Sequence, residues 1–146
     1  MKRRTLGVDL AKDCFQVSVS DGTGRVTARH RLNREQFTAF VAQSPVSRVL
    51  LEACGTAHHW ARTASAWGHQ VELLPAQHVR PYRRGNKNDR RDADALLEAG
   101  RCDDIEPVPI KTEAQQAVIQ LHRLREQWKT TRTARINSLR GALREF

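Results

Sequence analysis

The start of the chain alternates apolar and polar positions in the way that short strands do. A first apolar run, Thr5–Asp9, ends in an acid, and Cys14–Ser20 alternates apolar with polar side chains. Turn-forming residues at Asp21–Gly24 separate this run from a third one, Arg25–Arg31. We therefore predict three strands, the last two joined as a hairpin.

Beyond the third strand the pattern switches between helical and strand periodicity. The predicted elements are a helix over Arg34–Gln43 capped by Asn33, a strand over Val46–Leu51, a helix from Thr56 to about Trp67 stopped by Gly68, a strand over Val71–Leu74, a short helix over Pro75–Tyr82, and a helix capped by Asn88 that ends near Gly100. This order predicts an α/β fold with a mixed five-stranded sheet and helices on both faces.

The stretch from Thr112 to Phe146 contains no Pro and predicts one long helix. Its apolar stripe is Val118, Leu121, Leu124 and Trp128, followed by Ile136, Leu139, Leu143 and Phe146. The stripe changes register after Trp128, which indicates two seams or a stutter. We therefore predict a domain over residues 1–110 and a coiled-coil segment over residues 111–146 that forms a homodimer or higher homo-oligomer.

The chain has 25 Lys and Arg residues against 16 Asp and Glu residues and a pI near 10.5. Such an excess favours a polyanionic partner, although charge for solubility alone is the simpler explanation. Three cysteines without Cys-x-x-Cys spacing give no sign of a zinc site or a disulfide framework, and we expect buried or idle thiols. With no membrane-length apolar run or signal peptide, we expect a soluble, intracellular protein.

The basic residues concentrate around one loop and along the long helix. We predict that these side chains contact nucleic-acid phosphates: Lys12, Arg80, Arg83, Arg84, Lys87, Arg90, Arg91, Arg132 and Arg135.

Four carboxylates are the candidate chemistry: Asp9, Glu52, Asp89 and Asp92. Asp9 and Glu52 end predicted strands, and they face each other if those strands are neighbours. Asp89 and Asp92 lie three residues apart on one helix and project from the same face. Clustered carboxylates repel one another unless a hard cation lies between them, which points to magnesium, with manganese as a substitute. For the two helix acids, an interaction with the helix dipole is the simpler alternative.

Other candidates have ordinary structural explanations. His58 and His59 could touch a substrate, but exposure at a helix start explains them equally. We expect the three tryptophans to be core or interface residues. Solvated turns and faces account for five further acids, of which Asp94 is the least secure exclusion: Asp13, Asp94, Glu98, Asp103 and Asp104.

Three segments, taken in order, resemble one known family. They are GVDLAKD, LEACGTAHHWA and KNDRRDADALLEAG. Together they resemble the N-terminal domain of the DEDD transposases, insertion-sequence recombinases related to the Piv and MooV invertases, some of which are guided by a bridge RNA. The resemblance covers the whole chain. It implies an RuvC-like, ribonuclease H-type fold in which Asp9, Glu52, Asp89 and Asp92 are the catalytic, magnesium-binding acids.

The resemblance also implies DNA as substrate, a structured guide RNA in some relatives, and a coiled coil after the catalytic domain. It implies a further C-terminal domain with a nucleophilic serine, absent from this chain, so that the acids are half of a composite site and this fragment alone is inactive. Two departures from the family pattern are Asn88, where relatives commonly have Thr, and the additional Asp94. They leave open which Asp completes the metal site.

Three other functions fit the same residues less fully. A free-standing junction resolvase or nuclease would use a similar acidic fold without a second domain. A non-catalytic module would bind nucleic acid and dimerise, with salt-dependent affinity that does not depend on Asp9. A phosphotransferase of the actin and sugar-kinase type would need a second phosphate loop and a second lobe, which the sequence lacks.

Overall fold

The structure is a computed structural model that describes residues 4–83 and 89–145, without the side chains of residues 89–91 and 145. The chain divides into two compact units, Met1–Ile110 and Lys111–Phe146. The first contains a sheet and helices, and the second is helical.

The first unit is built on a five-stranded mixed sheet. Its strands are β1 (Thr5–Leu10), β2 (Phe15–Ser20), β3 (Val26–Leu32), β4 (Arg48–Glu52) and β5 (Gln70–Leu74). Their order across the sheet is β3-β2-β1-β4-β5. β1, β2 and β3 pair antiparallel, whereas β4 pairs parallel with β1 and with β5. The predicted mixed sheet, with β1 and β4 as neighbours, is confirmed.

Helices cover both faces of this sheet, as the alternating pattern predicted. They are α1 (Arg34–Gln43), α2 (Ala57–Ala66), α3 (Ala76–Val79) with a 3₁₀ turn at Arg80–Tyr82, and α4 (Asp89–Ala99). On one face α1 and α2 pack over Val8, Val17 and Leu51. On the other face α3 and α4 pack over Leu50 and Leu74.

The helix ends follow the local sequence with one exception. Asn33 caps α1 in a reciprocal capping box with Gln36, as predicted. Gly68, at φ +87°, follows the end of α2. Thr56 occupies the N-cap position of α2, but it has helical φ and ψ and its hydroxyl makes no capping hydrogen bond. The predicted cap of α4, Asn88, lies outside the described residues.

Two glycines set the close approach of α4 to the sheet. A Cβ at Gly7 of β1 would overlap the carbonyl oxygen of Ala93 on α4. A Cβ at Gly100, just after α4, would overlap the side chain of Leu50 on β4. The helix therefore packs closely against β1 and β4, the two strands that carry Asp9 and Glu52 near their carboxyl ends.

The second unit is α5 (Glu113–Ala142), capped by Thr112 and Gln115 and followed by a 3₁₀ turn, Leu143–Glu145. α5 buries none of its residues. Among the described residues of this unit, six large apolar side chains are exposed: Val118, Leu121, Leu124, Trp128, Leu139 and Leu143. Across the described residues, no helix has both the length and the apolar composition that crossing a membrane requires.

Candidate active site

Asp9 and Glu52 lie at the carboxyl ends of adjacent parallel strands. The register of β1 and β4 pairs Gly7 with Leu50 and Val8 with Leu51, and each acid is the next residue along its strand. Side chains alternate between faces, so Asp9 and Glu52 share a face with Gly7 and Leu50. That face is the one against which α4 packs.

The third acid, Asp92, comes to this face from α4. It precedes Ala93, whose carbonyl group contacts Gly7, and it is 6% exposed. An acid so deeply buried requires a charged or hydrogen-bonding partner.

Arg83 is the partner of both Asp92 and Glu52. Its Nη2 donates to Glu52 Oε2, and its Nε lies 3.2 Å from Asp92 Oδ1. The arginine follows the 3₁₀ turn at the end of α3, and its side chain is 32% exposed. One guanidinium thus offsets part of the repulsion between two acids.

The contact with Asp92 is a charge interaction without good hydrogen-bond direction. Arg83 Nε is buried, and it makes no hydrogen bond with any of the described residues. At 3.2 Å, Arg83 Nε and Asp92 Oδ1 therefore form an ion pair in which the N–H bond does not point at the acceptor oxygen.

Asp94 has a different role on the same helix. It accepts a 2.6 Å hydrogen bond from Ser18 Oγ. It also accepts hydrogen bonds from Arg29, from Nε at 3.2 Å and from Nη2 at 2.8 Å. The hydrogen bond to Asp94 raises the pKa of Arg29. These contacts tie α4 to β2 and β3 and give Asp94 a packing role, in place of the solvated face expected for it.

A divalent cation fits the chemistry of these donors. Carboxylate oxygens are the ligands that Mg²⁺ prefers, and Glu52 and Asp92 already share one cationic group. No cluster of three or more His, Cys, Asp or Glu side chains arranged to hold a metal is found among the described residues. Asp89 begins α4, one turn before Asp92, and its side chain lies outside the described part.

The predicted phosphate-binding residues occupy several places. Lys12 is exposed in the loop after β1, and Arg80 is exposed at the 3₁₀ turn after β5 and α3. Arg84 and Lys87 lie outside the described residues, and Arg90 and Arg91 lie on α4 with undescribed side chains. Arg132 and Arg135 are exposed on α5, where they line a shallow cavity of about 550 Å³ with Trp128.

Some expectations about individual side chains need correction. His58 is buried, whereas His59 is exposed as expected. No cysteine is buried, and Cys54 is exposed. The structure also places Arg83 between two candidate acids, whereas sequence reasoning assigned it only to phosphate contact. No local pattern indicates this pairing, because Arg83 is 31 positions from Glu52 along the chain.

Known proteins resemble the chain in sequence and in fold. The family model DEDD_Tnp_IS110, described as a transposase, matches residues 6–146. A probable family 20 transposase of Pseudomonas aeruginosa is 43% identical over 146 residues, which are 100% of this chain and 43% of that protein. The transposase for insertion sequence element IS1111A of Coxiella burnetii is 43% identical over 143 residues, 98% of this chain and 39% of that protein. The chain therefore spans about two fifths of the length of these relatives.

A solved structure, T. thermophilus RuvC in complex with a Holliday junction substrate, is similar with a TM-score of 0.53 and 13% identity. The similarity covers 73% of this chain and 99% of the RuvC chain. At that identity it shows the fold alone, which is RuvC-like. Because the family model extends over nearly the whole sequence, the chain belongs to the DEDD transposase family.

Proposed function

We propose that this chain is the metal-dependent catalytic domain of a DNA transposase. The observation that carries the proposal is the arrangement of three acids. Asp9 and Glu52 end adjacent parallel strands on the face that α4 covers, and α4 brings buried Asp92 to that face.

The proposed cofactor is Mg²⁺, for which Mn²⁺ can substitute. Asp9, Glu52 and Asp92 would hold it together with Asp89, which precedes Asp92 by one helical turn. The metal would neutralise charge on the phosphate undergoing displacement. The chain's own contribution is to fix three carboxylates on rigid elements, two on strands and one on a helix that is packed tightly against them.

The proposed substrate is DNA, held by exposed basic side chains. Lys12 and Arg80 follow strands at the end of the sheet where the acids lie, and Arg132 and Arg135 are exposed basic residues of α5. Lys and Arg gain affinity for a phosphate backbone by releasing its counterions. A structured guide RNA is a second proposed polyanion, since the same side chains would contact its phosphates. Action on chromosomal DNA would place the protein at the bacterial nucleoid.

We also propose that α5 joins copies of the chain into a homodimer or higher oligomer. Exposed Leu121, Leu124 and Trp128 are one turn apart along the helix and are the side chains that a coiled coil buries. The acids would then form half of a composite site completed by a serine in another domain of the full-length transposase. Sedimentation of the wild-type chain and of Leu121→Glu tests the association, which the charged variant should abolish.

The catalytic proposal is tested by metal location and by activity. A crystal soaked in Mn²⁺ should show anomalous signal beside Asp9, Glu52 and Asp92. In cells, excision of a marked insertion element by the intact transposase should stop with Glu52→Gln and continue with Glu72→Gln, a control acid on the neighbouring strand. Because Glu72 pairs with Arg48, its variant is first checked for folding. Excision at the wild-type rate with Glu52→Gln would contradict the proposal.

A free-standing junction nuclease is the second candidate. The RuvC similarity favours it, because it spans 99% of a chain solved with a Holliday junction. Mg²⁺-dependent cleavage of a four-way junction by this chain alone would support it over the composite site.

A further inference from the structure

Three arginines in the described part of the first unit form ion pairs with acids in two different ways. Arg29 directs two nitrogens at Asp94, and Arg48 directs two nitrogens at Glu72, at 2.8 and 2.5 Å. Both are two-nitrogen contacts with a single carboxylate, the strongest arrangement for this pair of groups.

Arg83 is arranged differently. It divides its guanidinium between Glu52 and Asp92, with one nitrogen to each, and among the described residues its buried Nε makes no well-directed hydrogen bond. Each acid therefore retains carboxylate oxygen capacity that Arg83 does not use. The pairing offsets part of the charge of the two acids, but it satisfies neither as fully as Arg29 and Arg48 satisfy theirs.

We propose that Arg83 and a divalent cation compete for Glu52 and Asp92. The guanidinium is the internal cation that holds Glu52 Oε2 and Asp92 Oδ1, and a metal ion that binds these same oxygens displaces it. This inference rests on the proposed metal site, since it assigns to Arg83 a role toward the same acids.

Competition has a thermodynamic consequence. The apparent affinity of a ligand is its intrinsic affinity multiplied by the fraction of molecules whose site is open. An arginine that occupies the site lowers this fraction and therefore weakens metal binding. If Arg83 instead only positioned the acids, its removal would weaken metal binding.

The test compares three variants of the whole chain by isothermal titration with Mn²⁺ and with Mg²⁺. Arg83→Gln removes the charge at the acids, Arg83→Lys keeps a charge but loses the guanidinium fork, and Arg29→Gln removes an arginine paired with another acid of α4. We expect Arg83→Gln to bind metal about tenfold more tightly than wild type, a difference of about 1.4 kcal/mol. Arg83→Lys should fall between them, and Arg29→Gln should match wild type.

Each other outcome overturns the proposal. Equal or weaker metal binding by Arg83→Gln excludes competition while leaving the metal site in place. Absence of metal binding in all variants and in wild type removes the proposed metal site and this inference with it. If Arg83→Gln does not fold, a Mn²⁺-loaded wild-type crystal decides, because Arg83 still bridging Glu52 and Asp92 beside a bound metal contradicts displacement.

Discussion

Gly7 of β1 and Ala93 of α4 lie in such close contact that a side chain at position 7 would overlap the Ala93 carbonyl oxygen. The residue before Ala93 is Asp92, and two residues after Gly7 is Asp9. This contact therefore sets the distance between the strand that carries one candidate acid and the helix that carries another.

Replacing Gly7 with Ala should destabilise the first unit and displace α4. The new methyl group would meet backbone, which can move only with the helix, and overpacking of this kind costs about 1–3 kcal/mol. Urea denaturation measures the change in the free energy of unfolding, and Mn²⁺ titration measures whether metal affinity falls with it. Gly55→Ala is the control, because a Cβ there has no neighbouring atom within 4 Å. Equal stability of the two variants would show that the helix adapts without cost.

Loss of charge at Asp92 should lower metal affinity, whereas loss of charge at Asp94 should lower only stability, although both lie on the same helix. Asp92→Asn removes a proposed ligand, and we expect metal affinity to fall by about a hundredfold or more, since even groups behind the ligands contribute 10–100-fold. Asp94→Asn weakens the contact with Arg29 and Ser18, which should cost about 1 kcal/mol of stability with unchanged metal affinity. Calorimetric titration and thermal unfolding of both variants give the comparison. If Asp94→Asn lost metal binding and Asp92→Asn kept it, Asp94 rather than Asp92 would be the metal ligand.

The turn between β2 and β3 should lose stability in acid. The hydroxyl of Thr23, with backbone N–H groups of Thr23 and Arg25, lowers the pKa of Asp21 below its ordinary value of 3.8. When the pKa of a carboxyl is lower in the folded than in the unfolded protein, the ionised group stabilises the fold at pH values above the unfolded-state pKa. This stabilisation is lost as the pH falls through the folded-state pKa. NMR titration of the Asp21 carboxyl carbon measures this. Thr23→Ala should raise the pKa and Thr23→Ser should preserve it; an unchanged pKa in Thr23→Ala would contradict the assignment.

Arg132 and Arg135 should contribute to the salt dependence of nucleic-acid binding. Each phosphate contact that is lost reduces the slope of log affinity against log salt by about 1, so the double change to Gln should reduce it by about 2. Fluorescence anisotropy with labelled DNA at several salt concentrations measures the slope. Lys129→Gln is the control, because Lys129 is paired with Glu126 on the same helix. A slope that changes equally in both proteins would indicate a general charge effect.

Local sequence determined the secondary structure and the fold class. Asn33 with Gln36 specifies the start of α1 because a capping box uses only neighbouring residues, and the predicted bounds of α1 are those observed. The acids at the ends of β1 and β4 could be identified for the same reason, since apolar runs that stop at Asp9 and Glu52 indicate where strands end. Thr56 stands at the N-cap position of α2 without a capping hydrogen bond, because such a bond also depends on backbone geometry, which the residue type does not specify.

The tertiary structure alone decided how these elements are combined into a candidate site. Strand order brought Glu52 beside Asp9, 43 positions apart, and helix packing added Asp92. Asp92 pairs with Arg83, whereas Asp94 pairs with Arg29. This difference also depends on which strands α4 crosses. Pairings over such distances follow from packing of the whole unit rather than from any local preference, so the sequence could supply the candidate acids but not the arginine that joins two of them.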